Sequence, residues 1–318
     1  MTTVTVNTDL TIYNELVQTA YLERVQDVIE IFNGNSAGAI QLVNESVEGD
    51  YSKQAFYKIG GSIAHRNVNS TDTVNPDNID SDERIGVKVP WKYGPYGTTE
   101  EAFKRRARTI EEFAVLMGQD MADAVLEGQI AYAVAALQGA IGGNAAMMET
   151  GSISNDGKKV LTKGMRTLGD RFSRLAIWVM DASVYFDLVD QSITDKIYEE
   201  AGVVVYGGQP GTLGKPVLVT DKSPSDKIFG LQPGAIVLKE SQPPGVRTYN
   251  IDNLENLAIG MRAEGVVNVD VRGYSWDPDT GGSNPNNDAL ASTDNWDKYA
   301  TSNKATAGFI IDVSGSSS

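Results

Sequence analysis

Residues 98–143 read TTEEAFKRRARTIEEFAVLMGQDMADAVLEGQIAYAVAALQGAIGG. Thr98-Thr-Glu-Glu101 has the spacing of a capping box and follows Gly94-Pro95. Phe103, Ala107, Ile110, Ala114, Met117, Met121, Ala124, Val125, Gly128, Tyr132 and Ala135 then trace one stripe at helical spacing, and Gly142-Gly143 ends it. Most of Lys104, Arg105, Arg108, Glu111, Glu112, Asp120, Asp123 and Glu127 fall on other faces. A single helix over 98–141 would run roughly 60 Å at about 1.5 Å per residue, longer than a small domain is wide, and would serve as a spine. Gly118 and Gly128 cost such a helix about 1 kcal/mol each relative to alanine. They make sense where another backbone passes close or the helix bends. The basic run Lys104-Arg105-Arg106-Ala107-Arg108 lies near the helix start, where the dipole disfavours cations. Glu100, Glu101, Glu111 and Glu112 are placed to pair with it along the helix, which favours a solvated salt-bridged face over a contact with another protomer or with nucleic acid.

Upstream of the spine, residues 8–33 predict a helix, with Leu10, Tyr13, Leu16, Val17, Ala20, Tyr21, Val25, Val28, Ile29 and Phe32 in register and Asn33-Gly34-Asn35 as the stop. Thr8 or Asp9 can cap it. An amphipathic helix at the N-terminal end is a candidate to pack on a neighbouring subunit in place of its own core. Residues 40–97 then hold two apolar runs, Ala55 to Ala64 and Ile85 to Trp91, around the polar stretch 67–82. Two strands joined by a polar tip describe an extended hairpin, which is marginal alone and needs a surface to lie on.

Downstream, 144–260 alternates helix and strand signals. A helix is expected over Thr162–Phe172 and a buried strand over Leu175–Met180. Asp181 is placed to cap a helix running through Tyr185, Leu188, Ile193 and Ile197 to Gly202. Strands are expected at Val203–Tyr206, Val217–Thr220 and Ala235–Leu238, with a glycine-proline turn at 207–216. Residues 261–275 predict one long strand, half-buried at an edge, with Val267, Val269 and Val271 alternating against Asn268, Asp270 and Arg272. Residues 276–305 are polar and turn-rich and predict a loop, 307–313 a closing strand, and Ser314 onward a tail.

Composition removes whole classes of chemistry. There is no cysteine, hence no disulfide, thiolate nucleophile or soft metal ligand, and a reducing compartment is permitted. The one histidine, His65, excludes a two-histidine metal site within one chain and would have to be the base of any serine triad. No nucleophile or orienting carboxylate accompanies it in sequence, so it reads as a structural or surface residue. The net charge of −15 opposes grasping nucleic acid by its phosphates and keeps copies apart at high local concentration. The first residues, MTTVTVNTDLTIYNEL, lack the basic and apolar regions of a secretory signal; if Met1 is the mature end, no long scaffolding segment is fused ahead of it. No run of 18 uninterrupted apolar residues is present, so no membrane span or membrane partner is expected.

The remaining chemical signals are partial. Gly207-Gly-Gln-Pro-Gly-Thr-Leu-Gly214 resembles a phosphate loop but lacks the Gly-Lys-Ser/Thr ending, and Pro216 with a strand follows where a helix should start. It reads as a tight connection or a subunit contact. Asp277, Asp279 and Asp288 sit at three positions of a calcium loop, but the fifth position is Gly281, the twelfth is Asp in place of a bidentate Glu, and no flanking helix is expected. A polar loop is the better reading. No carboxylate pair stands out for acid/base work, and no catalytic residue, cofactor or metal is assigned.

The order of these parts resembles the major capsid proteins of tailed bacteriophages, the Hong Kong 97-like fold. Ala176-Ile-Trp-Val-Met-Asp-Ala-Ser-Val-Tyr-Phe-Asp-Leu-Val-Asp190 looks like the strand-then-helix passage that opens their A-domains. Thr212-Leu-Gly-Lys-Pro-Val-Leu-Val-Thr-Asp221, with Pro224 after it, is similar to their Leu-Gly-x-Pro-Val-x-Val-Thr-Asp stretch. The resemblance implies an α+β chain with an N-arm helix (1–39), an extended hairpin E-loop (40–97), a P-domain with spine helix and long strands (98–160 and 246–318) and an α/β A-domain (161–245). It implies a structural, non-enzymatic subunit that self-assembles through pentamers and hexamers into an icosahedral shell around double-stranded DNA, bound without sequence-specific contact. Scaffolding, portal and decoration proteins are the further partners, the virion capsid is the location, and assembly occurs in the host bacterial cytoplasm. Contacts between subunits are then expected at the tip, through Asn67, Asp72, Asn75 and Asp80, and at an axial loop through Gly208, Pro210 and Gly211. Some relatives cross-link a lysine to a neighbour's asparagine; Lys53, Lys58 and Lys88 lie near the hairpin, but no motif predicts the link. The alternatives are an encapsulin-type nanocompartment shell and, in another class, an α/β enzyme with a site in 160–240. A phage tail tube or sheath fits less well, because the spine helix is foreign to mostly-β tubes.

Overall fold

The computed structural model describes residues 7–58, 63, 65–71, 73, 80–106, 110–194, 196–200, 203–206, 212, 214–240, 242–251 and 255–314. The N-terminal periodicity forms α1 (Asn7–Asn35), and Ile40–Val43 follows as β1, a strand too short to stand out in sequence. The hairpin is present as β2 (Tyr51–Lys58) and β3 (Asp80–Thr99), paired antiparallel from Tyr51 opposite Val87 to Lys58 opposite Asp80. Its first strand begins at Tyr51, before the Ala55–Ala64 expectation, and residues 59–62 and 64 of that run lie outside the described residues. Its second strand runs on through Gly94-Pro95, because Ala258–Thr99 through Met261–Tyr96 pairing on an adjacent strand supplies the partner that the local signal lacked.

Along the spine the described residues are helical over Glu100–Arg106 (α2) and Ile110–Gly142 (α3), and residues 107–109 lie outside the described residues. Its 33 residues make α3 about 50 Å long. By length and composition Glu112–Gly142 could cross a membrane, although no uninterrupted apolar run is present. Its apolar content serves the core: 56% of the most apolar window is buried, with Ala133, Val134, Ala136, Leu137, Ala140 and Ile141 inside.

After α3 come β4 (Met148–Thr150), α4 (Ile153–Asp156), α5 (Lys159–Leu168) and a 3-10 turn over Gly169–Arg174, so the helix expected at Thr162–Phe172 starts earlier and tightens at its end. Then follow β5 (Ile177–Met180), α6 (Ala182–Thr194), β6 (Lys196–Glu200), β7 (Val203–Tyr206), β8 (Val217–Val219), β9 (Lys227–Leu231), β10 (Ile236–Glu240), β11 (Gly245–Ile251) and β12 (Ala258–Val271). The helix after Asp181 stops at Thr194; Lys196–Glu200 pairs with β7 instead of extending the helix to Gly202. Asp181 caps as expected, its Oδ1 accepting the Ser183 N–H at 2.8 Å.

Two sheets organise the chain. The first has the order β1-β10-β12-β3-β2, with β11 also on β12. In it β12 is central, flanked by β3 on one side and by β10 and β11 on the other, so the expected half-buried edge is overturned: Asn268 (1% exposed) and Asp270 (4%) are as buried as Val267 and Val269. The second sheet has the order β4-β15-β9-β5-β8, where β15 is Gly308–Asp312. All four residues of β5 are buried, and Trp178 meets Phe309 edge-on at 5.7 Å. Gly164 of α5 lets that helix settle on the sheet, since a Cβ there would lie 2.4 Å from the Phe309 ring.

The stretch 276–305 is no open loop. It holds β13 (Tyr274–Trp276), α7 (Pro278–Gly281), α8 (Asn287–Ala291) and β14 (Trp296–Lys298), clamped onto the spine. Trp296 donates from Nε1 to the Leu290 carbonyl at 2.8 Å and packs edge-on against Trp276 at 5.0 Å. Gly139 on α3 makes room, because a Cβ there would lie 2.2 Å from the Leu290 carbonyl oxygen.

Candidate functional site

The hairpin is anchored at its base by a polar cluster inside the first sheet. Asp270 on β12 reaches across β3 to Ser52 on β2, whose hydroxyl donates to Oδ1 at 2.8 Å. The passage exists because residue 86 is glycine: a Cβ there would lie 1.8 Å from Asp270 Oδ1 and 2.4 Å from Ser52 Oγ. Asn268 donates from Nδ2 to the same Ser52 oxygen at 3.3 Å. The buried carboxylate is balanced by Arg84 at 3.8 Å and Lys239 at 3.9 Å, and Lys239 also holds Glu45 at 2.7 Å. A charge this deep needs both hydrogen bonds and counter-charge. The cluster ties β2, β3, β10 and β12 together at the point where the hairpin leaves the sheet. Further along, Lys58–Asp82 at 2.5 Å and Lys53–Glu83 at 3.5 Å link the two hairpin strands at the surface, where each contributes little. Lys88 donates to the Val47 carbonyl at 2.7 Å.

A second cluster fixes α1. Tyr21 donates to Glu240 Oε1 at 3.0 Å, and the Gln129 side chain of α3 also hydrogen-bonds that carboxylate. Burial pushes the Glu240 carboxyl above the usual carboxylate range and, with the Glu240 charge beside it, pushes the Tyr21 phenol up as well. Gly118 of α3 allows close approach, as a Cβ would lie 2.7 Å from the Val17 carbonyl oxygen. The Val17, Tyr21 and Val25 stripe is therefore buried on its own chain, against Ala114, Met121, Val125 and Val246, which corrects the expectation of a neighbour's core. Gly128 differs: nothing lies within 4 Å of a Cβ built there, so close approach does not explain it.

Of the residues singled out in sequence, Asn67 is exposed on the hairpin's polar stretch and Asp80 opens β3. Asp72, Asn75, Gly208, Pro210 and Gly211 lie outside the described residues. His65 is exposed. Arg105 pairs with Glu101 at 3.2 Å, both exposed, as a solvated face requires. Asp277 is the N-cap of α7, accepting the Asp279 N–H at 3.0 Å on Oδ1 and the Thr280 hydroxyl on Oδ2. Those hydrogen bonds hold its carboxyl below the usual range. Asp288 stands separately in the first turn of α8, and among the described residues no group of three or more His, Asp or Glu side chains converges as a metal site would need. Sequence reasoning missed both polar clusters. The signals available were Gly86 within a strand and polar residues at alternate positions of a strand otherwise rich in valine.

Comparison with known proteins agrees with this architecture. The family model Gp13-like, described as major capsid protein 13-like, matches residues 9–310. No curated protein matches the chain by sequence. Among solved structures, one from Microbacterium phage Oxtober96 shares 10% identity over 74% of this chain and 84% of its own, with a TM-score of 0.52. The mature capsid of bacteriophage PhiM1 shares 10% identity over 87% and 86%, with a TM-score of 0.49. The capsid of a native GTA particle shares 15% over 74% and 86%, also at 0.49.

Proposed function

Because this chain belongs to the Gp13-like major capsid proteins, it is a structural, shell-forming subunit of a tailed-phage virion capsid, and we propose how its parts serve that shell. Residues 1–39 act as the N-arm, 40–97 as the E-loop, 98–160 with 246–318 as the P-domain, and 161–245 as the A-domain. Copies associate as pentamers and hexamers that tile an icosahedral shell around double-stranded DNA. The hairpin tip, with Asn67, Asp72, Asn75 and Asp80, reaches a neighbouring subunit, and the loop with Gly208, Pro210 and Gly211 lies near the capsomer axis. Scaffolding, portal and decoration proteins complete the particle, which assembles in the host bacterial cytoplasm.

The observation that carries the hairpin's role is its anchorage. A two-stranded arm is marginal by itself, yet β2 and β3 are locked at their base through Gly86, Asp270 and Ser52. Rigid attachment at one end and a polar far end suit an arm whose partner lies on another copy. The high negative charge opposes premature association, so cohesion must come from many modest contacts acting together. The test is deletion of residues 68–80. The expected result is a folded chain, by circular dichroism and sedimentation, that no longer yields closed particles. Normal shells from the deleted chain would count against the proposal.

A further inference from the structure

Two carboxylates are buried in the first sheet, one on each face, and they are balanced differently. Asp270 is met by Arg84 at 3.8 Å and by Lys239 at 3.9 Å. Glu240 follows Lys239 on β10, so its side chain points to the opposite face, toward α1 and α3, where it is 8% exposed. There it meets Tyr21 and Gln129, both neutral, and among the described residues no lysine or arginine pairs with it. Burying a carboxylate without a counter-charge is costly. This imbalance coincides with a cavity of 170 Å³ that Glu240 helps to line. Such a space holds roughly five water molecules at ~30 Å³ each. Tyr21, Val25 and Glu240 are buried at its floor. Exposed Leu22 and Pro243 give its mouth an apolar wall, and exposed Asn44 and Ser46 add uncharged polar groups.

We propose that this cavity is a socket for a lysine side chain presented by a basic partner protein. The lining matches such a ligand from mouth to floor. Leu22, Val25 and Pro243 cover the aliphatic stem, the Glu240 carboxylate takes the ammonium, and Asn44 and Ser46 hydrogen-bond the flanking peptide groups. Lysine fits better than arginine. The carboxylate already accepts Tyr21 on Oε1 and hydrogen-bonds Gln129, so a planar guanidinium fork lacks the two free oxygens it needs, whereas an ammonium acts as a point charge. The surroundings select the kind of partner. Glu23 stands beside Leu22, and Glu45 between Asn44 and Ser46, both exposed, on a chain of net charge −15. Like charge opposes a second copy at this mouth and steers a cationic protein toward it. The site stands whether or not the chain closes into shells.

The probe is lysine capped at both ends, as the acetyl and methylamide derivative, titrated into the full-length chain and followed by the methyl NMR signals of Leu22 and Val25. Saturable binding is expected, about tenfold or more tighter than that of the norleucine analogue, which keeps the stem and lacks the ammonium. Glu240→Gln keeps the shape and removes the charge, and should weaken lysine binding by about tenfold or more. Ser46→Trp guards against a folding defect: it changes an exposed rim position, leaves Glu240 in place, and should abolish binding by closing the mouth. No binding by the wild-type chain, equal binding of the lysine and norleucine analogues, or undiminished binding by either variant would overturn the proposal. Tighter binding of the capped arginine analogue would overturn the choice of lysine. Loss of self-assembly in Ser46→Trp, where wild type assembles, would assign the socket to a second copy and overturn the basic partner. A wild-type chain that binds the probe and yields no particles would refute the shell reading alone.

Discussion

Replacing Asp270 by alanine should loosen the hairpin at its root. The carboxylate is 4% exposed, accepts the Ser52 hydroxyl at 2.8 Å, and is the buried counter-charge of Arg84 and Lys239 at 3.8 and 3.9 Å. Breaking a buried pair from one side costs about 3–5 kcal/mol, but Arg84 is part-exposed and Lys239 keeps Glu45, so the lower end applies. The lost hydrogen bond to a charged acceptor is worth ~1.5–3 kcal/mol and overlaps with that figure. A loss of about 3 kcal/mol follows, read as a lower urea midpoint with faster amide exchange in β2 and β3. Gly86→Ala attacks the same cluster from the other side, since its methyl group would occupy the position of Asp270 Oδ1. Combined with Asp270→Ala, which empties that space, the Gly86→Ala cost should shrink by at least ~1 kcal/mol. Additivity of the two changes within about 0.5 kcal/mol would refute the idea that Gly86 exists to let the carboxylate through.

Three other outcomes are expected. Gly118→Val should destabilise by about 1–3 kcal/mol through overpacking against Val17 and Ala20 and should release α1, seen as selective protease cleavage within residues 15–35. Gly139→Val should cost a similar ~1–3 kcal/mol by driving α8 off the spine, with a change in the near-ultraviolet signal of Trp276 and Trp296. Glu240→Gln should flatten the pH dependence of stability: the folded state raises this carboxyl, so its contribution is full below the unfolded-state value and is lost as pH rises through the folded one. Wild type should therefore lose stability against the Gln variant as pH climbs from the usual carboxylate range toward neutrality, measured by urea midpoints across that range.

Much of the architecture was legible because it is written in local periodicity. The stripe from Ala114 to Ala135 gave the spine, the Val17-Tyr21-Val25 spacing gave α1, and the unbroken apolar run at Ile177–Met180 gave a strand buried on both faces. What was hidden depends on contacts distant in sequence. Asn268 and Asp270 read as solvent-facing, since alternation alone cannot tell an edge strand from a central one whose polar residues meet Ser52, Arg84 and Lys239 from neighbouring strands. Ile193 and Ile197 continue a helical spacing, yet Lys196–Glu200 takes a strand partner in Val203–Tyr206. The 276–305 stretch looked polar throughout; its two tryptophans were the signal that it packs, each burying its ring and satisfying its indole N–H on a backbone carbonyl.

On the reading proposed above, this chain builds a closed shell from interlocked copies. Electron microscopy of the purified, assembled full-length protein tests it most directly. Closed particles several hundred ångströms across are expected, with five- and six-fold clusters and the hairpin of each copy lying on a neighbour. Discrete small oligomers under every assembly condition, with the hairpin folded against its own chain, would contradict it.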